Sequence, residues 1–153
     1  MLFLDAMTHA NYPLSYKDGQ DIRDRAFQFA CRVVKFCERV YAAGGVGRMM
    51  VPQLVSSSTA PTGMLEEARA AESRRDFISK CCIGLKELRE SWGRLRVMEA
   101  CGIGPSDTAR ELVREANELV SIVTAIVRNT RQKNSDCPPS RQRNRRRERE
   151  PDS

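Results

Sequence analysis

The stretch SSSTAPTGMLEEARAAES, residues 56–73, decides how this chain is built. From Glu66 onward it consists almost entirely of strong helix formers. Its first half is a run of small and hydroxyl side chains that includes Pro61 and Gly63, and this composition suits either a loop or a narrow helix. A loop would leave three amphipathic helices without a fourth surface to close on, whereas a helix would complete a four-helix bundle.

Three other segments show the apolar spacing of three and four residues that is typical of amphipathic helices. They are predicted at about 19–43, 74–101 and 107–132. Their predicted buried stripes are Ile22, Ala26, Phe29, Val33, Phe36 and Val40; Phe77, Cys81, Leu85, Leu88, Trp92 and Leu95; and Ala109, Leu112, Ala116, Leu119, Val123 and Ile126. A further set is predicted to widen the first stripe to about half of the helix circumference: Phe27, Ala30, Val34, Cys37 and Tyr41.

Local signals mark the ends of these helices. Ser73-Arg-Arg-Asp76 and Thr108-Ala-Arg-Glu111 are predicted capping boxes, with Ser106 as the alternative cap of the last helix. Asp18-Gly-Gln-Asp21 is close in kind and precedes the first helix. The glycines of GGVGR, residues 44–48, are predicted to form a helix-ending turn, because this motif lacks the Lys-Ser/Thr of a phosphate-binding loop.

The remaining segment is predicted to be the second helix, at about 47–71, with Pro52 in its first turn. Pro61 is expected to cause a kink or a short break, because it lacks an amide donor and crowds the preceding turn. The small residues around it would let neighbouring backbones approach closely, so a bulky residue at Ser57 or Gly63 is expected to disturb assembly. The alternative is that the first part of this segment is a loop.

Composition indicates one all-α domain with two extensions. The chain has 153 residues, of which 41% are hydrophobic and 30% are charged, as in soluble globular proteins. Residues 1–17 are predicted to be an irregular arm, 18–133 the bundle, and 134–153 a disordered Arg-rich tail. The tail prediction rests on its two adjacent prolines, dense charge and lack of large apolar side chains.

Three sequence features predict a cytoplasmic location. No apolar run approaches the roughly 18 residues of a membrane span, so no membrane role is expected. The start of the chain lacks the basic region of a secretory signal. Five of the six cysteines lie within apolar helical patterns, where free cysteine behaves as a small hydrophobic residue; these are Cys31, Cys37, Cys81, Cys82 and Cys101.

Residues 53–91 resemble the signature region of the four-helix-bundle proteins found in intervening sequences of bacterial 23S ribosomal RNA genes. The matching positions are Gln53, Leu54, Pro61, Gly63, Glu67, Ala68, Ser73, Arg74, Arg75, Asp76, Phe77, Leu85, Leu88 and Glu90. Val55 and Ser56 depart from the pattern, since many members carry a basic pair there, and Met64 stands where Asn is frequent.

The resemblance implies an antiparallel up-down-up-down bundle that assembles as a ring, typically a homopentamer, with no established catalytic activity. The residues that it marks as motif or assembly positions are Ser57, Pro61, Gly63, Glu67, Ser73, Phe77 and Glu90. A similar fold and assembly characterise the accessory variability protein of diversity-generating retroelements. That protein binds its reverse transcriptase and nucleic acid through a basic surface.

Basic charge is concentrated at the end of the chain. From residue 128 onward nine basic residues oppose four acidic ones, which accounts for +5 of the net charge of +6. The predicted nucleic-acid-binding residues are Arg128, Arg131, Lys133, Arg141, Arg143, Arg145, Arg146, Arg147 and Arg149. Such residues neutralise phosphates with little dependence on sequence. The predicted partners are further copies of the chain, RNA or DNA, and a reverse transcriptase. The alternative is a structural homo-oligomer with a protein partner and no nucleic-acid role.

An enzymatic function is not expected. The single histidine, His9, lies in the predicted arm, so no histidine-based dyad, triad or metal cluster can be assembled from the bundle. The glutamates of the second and third helices lack the Glu-x-x-His motif of di-iron bundles. Glu67 and Glu90 are instead expected to pair with arginines such as Arg69, Arg89 or Arg94. No cofactor and no metal site is predicted.

Overall fold

The computed structural model describes residues 21–132, which form four α-helices and no strand. The helices are α1 (Ile22–Ala43), α2 (Gly47–Arg69), α3 (Arg74–Ala100) and α4 (Ser106–Gln132). Each helix packs against the next one in the chain, and α4 also packs against α1. The prediction of an all-α four-helix bundle is therefore confirmed. The predicted arm 1–17 and the predicted tail 134–153 lie outside the described residues.

Helix α1 begins at Ile22, and its N-cap is Asp21, whose side chain accepts a hydrogen bond of 2.9 Å from the backbone N–H of Arg23. The Arg23 guanidinium also donates to this carboxylate, and it holds the pKa of Asp21 below its ordinary value. The helix thus starts about three residues later than predicted. It ends at a glycine turn, in which Gly44 and Gly45 have positive φ, as predicted for GGVGR.

Helix α2 settles the question raised by the small-residue stretch, because it runs without interruption from Gly47 to Arg69. Pro61 therefore does not break the helix, and the loop alternative is wrong. Pro52 is the sixth helical residue and lies beyond the first turn in which it was predicted. Hydroxyl groups near Pro61 donate to carbonyls of the preceding turn: Thr59 Oγ1 lies 2.8 Å from the Val55 oxygen, and Ser58 Oγ lies 3.1 Å from it. These bonds keep the polar groups of the narrow stretch paired.

The buried face of α3 is rotated from the predicted one. Its buried residues are Phe77, Cys81, Gly84, Leu88, Ser91, Leu95 and Met98. Leu85 and Trp92, which were predicted to be core residues, are only partly buried. The reason is the neighbouring helix: α2 presents small side chains, so α3 turns its own small residues towards α2.

Close packing between α2 and α3 is visible at two places. Ser91 Oγ donates to Ser57 Oγ across a buried distance of 3.0 Å. At Gly84 an added Cβ would lie 3.4 Å from the Met64 Cβ and 3.9 Å from the Pro61 Cα, so α2 passes within van der Waals contact of this position. Gly63 behaves differently, because it is exposed and an added Cβ would meet nothing within 4 Å. Within the subunit, the close approach therefore involves Ser57 but not Gly63.

Replacing Ser57 with leucine is expected to lower the free energy of unfolding by about 1–3 kcal/mol, because the added carbons have no space beside Ser91. Urea denaturation followed by circular dichroism measures the change. Ser56→Leu is the matched control, because Ser56 is the preceding residue on the same helix and is exposed. Equal effects of the two substitutions would contradict the packing of Ser57.

Helix α4 begins at Ser106, and the Pro105 carbonyl accepts a hydrogen bond of 2.9 Å from the Ala109 N–H. Thr108 therefore lies inside the first turn and is not the cap, in contrast to the predicted capping box. The predicted buried stripe of α4 is confirmed in full, since all six of its residues are buried.

The turns at one end of the bundle require glycine. Gly104, between α3 and α4, has a φ of +81°, and an added Cβ there would lie 2.6 Å from the Phe36 ring. Gly47 begins α2, and an added Cβ there would lie 2.7 Å from Ile103 and 2.9 Å from Val40. The ends of α1 and α3 and the starts of α2 and α4 therefore meet closely at this end.

Helix α1 buries less of its circumference than predicted. Phe27 is 62% exposed and Tyr41 is 52% exposed, although both were expected to widen the buried stripe. Both residues have the apolar character of core positions, but they lie beyond the angular range that α2 and α4 cover. Val46 and Met49, near the α1–α2 turn, are also exposed apolar residues.

Candidate nucleic-acid interface

Two of the nine predicted nucleic-acid-binding residues, Arg128 and Arg131, are described by the structure, and both are exposed near the end of α4. The Arg131 guanidinium donates to Cys82 Sγ of α3 at 3.4 Å. Arg128 forms no ion pair with any residue from 21 to 132. The other seven predicted residues, from Lys133 onward, lie outside the described part of the chain.

Along the seam between α1 and α4, basic side chains are paired with carboxylates. Arg25 Nε lies 2.7 Å from Glu115 Oε1, and its guanidinium also contacts Glu118. Seven residues after Arg25 on α1, Arg32 lies 2.9 Å from Glu111 of α4. The three glutamates of α4 therefore all lie on the side that faces the basic residues of α1. The other side of α4 carries none of them.

The seam between α2 and α3 is balanced in the same way. Lys80 of α3 pairs with Glu67 of α2, so Glu67 does not pair with an arginine as predicted. Arg94 lies 3.0 Å from Glu90 on its own helix, as predicted, and it also donates to Gln53 Oε1 of α2 at 3.5 Å. These contacts place Glu90 of α3, together with Arg94, beside α2.

The motif and assembly positions implied by the resemblance divide into three groups. Ser57, Pro61 and Phe77 are buried in the α2–α3 packing. Ser73 is the N-cap of α3, and its side chain accepts a bond of 3.1 Å from the Asp76 N–H, as predicted. The remaining positions, Gly63, Glu67 and Glu90, are exposed on the outer side of α2 and α3.

The seam between α3 and α4 has a different charge distribution, because both helices contribute basic residues to it. We call this surface the α3–α4 basic face, and all of its members are exposed. They are Arg75, Lys86, Arg89 and Arg96 of α3, and Arg110, Arg128 and Arg131 of α4.

Two observations, one in the first part of α3 and one near its end, place these residues on one surface. Cys82, which contacts Arg131 of α4, lies four residues before Lys86 and seven before Arg89, so helical periodicity puts all three on the same side of α3. Towards the other end, Arg96 and Arg110 line the same open groove of about 760 Å³ between α3 and α4. The basic residues therefore follow the seam from the start of α3 to near its end.

Few carboxylates neutralise the α3–α4 basic face. Arg110 is its one member with ion pairs inside residues 21–132, and they are long, at 3.9 Å to Glu99 and 3.6 Å to Asp107. Arg96 lies over the Trp92 ring, with 4.9 Å from the guanidinium carbon to the ring centroid. The face thus presents cations to solvent, in contrast to the balanced seams.

Sequence reasoning missed the α3 part of this face and Arg110 of α4. It counted net charge along the chain, and the part before residue 128 is close to neutral because acidic and basic residues cancel in the sum. The signal was the spacing: Arg75, Lys86, Arg89 and Arg96 are separated by 11, 3 and 7 residues, which keeps them on one side of a helix.

The two buried cysteines, Cys37 and Cys81, are poor nucleophiles. Burial raises the pKa of Cys81 to about 12 and that of Cys37 to about 11, so both are protonated thiols at neutral pH. Between residues 21 and 132, no three His, Cys, Asp or Glu side chains gather as a metal ion would require. None of the four helices is both long and apolar enough for a membrane span.

Comparison with solved structures supports the fold and the family-level resemblance. The chain is similar to a protein of unknown function from the S23 ribosomal protein family of Bacteroides thetaiotaomicron, with a TM-score of 0.63 and 25% sequence identity. The match covers 69% of this chain and 97% of that protein. No family model matches the sequence. No curated protein matches it either.

Proposed function

We propose that this protein is a non-enzymatic, homo-oligomeric adaptor that binds nucleic acid or a nucleic-acid enzyme. The observation that carries this proposal is the position of Arg128 and Arg131. Both are exposed at the end of α4, directly before the Arg-rich residues 133–153. Together with Lys133 and the six arginines between 141 and 149, they supply nine cations that can neutralise phosphates.

The proposal includes an up-down-up-down bundle in a homopentameric ring. Antiparallel neighbours are supported by contacts between the start of one helix and the end of the next: Arg23 of α1 pairs with Glu66 of α2 at 3.1 Å, and Arg74 of α3 donates to the Thr130 carbonyl of α4. The ring is supported by the family resemblance and by the exposed Phe27, an apolar side chain suited to a subunit contact.

A more specific form of the proposal is an accessory protein of a diversity-generating retroelement, with a reverse transcriptase as partner and a cytoplasmic location. Its support is the resemblance over residues 53–91 together with the structural likeness to the S23 ribosomal protein family. A reverse transcriptase gene beside this one, and co-purification of the two proteins from the native host, would support this form. Isolation of the protein without any reverse transcriptase would contradict it.

Deleting residues 134–153 is expected to weaken binding of a 30-nucleotide RNA by at least about tenfold at low salt, because six arginines between 141 and 149 are lost. Gel retardation and fluorescence anisotropy measure the change. Light scattering of the same variant is expected to give an unchanged oligomer mass. Unchanged RNA binding would show that the tail does not contribute.

The second candidate is a structural homo-oligomer whose partner is another protein. The exposed apolar side chains of Tyr41, Val46 and Met49, near the α1–α2 turn, favour it. This candidate predicts no retardation of RNA or DNA by the full chain at physiological salt. A monomer in light scattering would contradict both candidates.

A further inference from the structure

We propose that the α3–α4 basic face binds the sugar-phosphate backbone of a nucleic-acid duplex. This inference rests on the proposed function, because it assigns to the bundle itself a second contact and specifies the form of the nucleic acid. It does not depend on the Arg-rich tail, since all members of the face lie between residues 75 and 131.

The charge distribution of the bundle is the first argument. Along the α1–α4 and α2–α3 seams, basic side chains are matched by carboxylates of the neighbouring helix, such as Arg25 by Glu115 and Lys80 by Glu67. Along the α3–α4 seam, basic side chains of both helices meet, with Glu99 and Asp107 at one end. A polyanion is the ligand that relieves such repulsion, and phosphates are its most common form in cells.

The availability of the cations is the second argument. Arg75, Lys86, Arg89 and Arg128 are exposed and form no ion pair within residues 21–132. No carboxylate within residues 21–132 therefore has to be displaced before these side chains meet phosphate. Their binding would release counterions from the nucleic acid, so the affinity would fall steeply as the salt concentration rises.

The shape of the face is the third argument. Arg96 lies 21 positions after Arg75, which is an advance of about 31 Å along α3 at roughly 1.5 Å per residue. One turn of B-form duplex is about 34–36 Å long. The α3 members of the face thus extend over nearly the length of one duplex turn, along which the duplex presents successive phosphates.

The aromatic residues favour a duplex over a single strand. Proteins that bind single strands usually stack bases on exposed aromatic rings. The aromatic residue beside this face is Trp92, which is partly buried and lies under Arg96. The exposed aromatic rings in the described part of the chain, Phe27 and Tyr41, belong to α1. The face therefore offers charge without a stacking platform.

The test uses the full chain and a fluorescein-labelled 20-base-pair DNA duplex, with anisotropy titrations between about 50 and 200 mM NaCl. The face variant is Arg75→Gln, Lys86→Gln and Arg89→Gln. The control variant, Lys35→Gln, Arg39→Gln and Arg69→Gln, removes the same charge from exposed positions on α1 and α2. The face variant is expected to bind at least about tenfold more weakly, with a slope of log affinity against log salt shallower by about 2–3. The control is expected to retain most of the binding.

Each contrary outcome has its own meaning. If the unmodified chain binds neither duplex nor single-stranded DNA, nor the 30-nucleotide RNA, at the lowest salt, the nucleic-acid-binding form of the proposed function fails together with this inference. If the unmodified chain binds but the face and control variants bind equally well, the proposed function stands and the face is not the site. Tighter binding of the single strand than of the duplex would overturn the duplex assignment. A changed oligomer mass of the face variant would show that the face is a subunit contact and would also overturn the inference.

Discussion

Replacing Gly104 with alanine is expected to lower the free energy of unfolding by about 2–5 kcal/mol. Two costs combine at this position. The backbone has a φ of +81°, a left-handed conformation that an L-residue adopts only at a cost of about 1–2 kcal/mol. The new Cβ would also lie 2.6 Å from the Phe36 ring and 2.9 Å from Val40, so the core side chains of α1 would have to move. Urea denaturation followed by circular dichroism measures the loss.

Two other glycines separate these costs. Gly102 has a φ of +66° and open space around it, so Gly102→Ala should show only the backbone cost of about 1–2 kcal/mol. Gly47 has no positive φ but its Cβ would lie 2.7 Å from Ile103, so Gly47→Ala should show only the packing cost of about 1–3 kcal/mol. If Gly104→Ala were no worse than Gly102→Ala, the close approach to Phe36 would be contradicted.

Truncating Phe77 to alanine is expected to cost about 3–5 kcal/mol, because it removes a fully buried ring near the start of α3. This is a large part of the 5–15 kcal/mol by which a typical domain is stable. The expected observation is a lower urea concentration at the unfolding midpoint. The slope of the free energy of unfolding against urea concentration should not change.

Phe27→Ala removes the same ring from an exposed position, so its effect on the folding of the subunit should stay within about 0.5 kcal/mol. If Phe27 lies in the proposed subunit contact, this variant should dissociate at a higher protein concentration than the unmodified chain, as light scattering of a dilution series would reveal. Similar losses of folding stability in the two variants would contradict the assignment of Phe77 to the core and Phe27 to the surface.

Sequence periodicity predicted the helices well where large apolar residues recur regularly. The stripe of α4 is such a case, because Leu112, Leu119 and Ile126 are buried as expected. In α3 the same reasoning selected Leu85 and Trp92, but the core uses Gly84 and Ser91. A prediction based on the spacing of large apolar side chains cannot identify a helix interface that requires small side chains.

The candidate site was only partly predictable, for a related reason. Arg128 and Arg131 stood out because they belong to a segment with a high net charge. Arg75 and Lys86 did not, because acidic residues nearby in sequence cancel them in any sum along the chain. Folding separates some of those charges around α3: Lys86 and Arg89 share the side of Cys82, which contacts α4, whereas Glu90 pairs with Arg94 beside α2. That separation depends on which helix becomes the neighbour.

The hydroxyl pair between Ser57 and Ser91 also specifies how α2 and α3 are aligned along their axes. Small apolar residues alone would allow the two helices to slide past each other at nearly constant distance. A shift by one turn would separate the two oxygens, which are 3.0 Å apart. The buried Ser91 hydroxyl would then lose its acceptor, Ser57 Oγ. Since Ser57 Oγ also donates to the Leu54 carbonyl, both hydroxyl hydrogens are used in the observed alignment. The narrow contact therefore determines the register of the two helices as well as their separation.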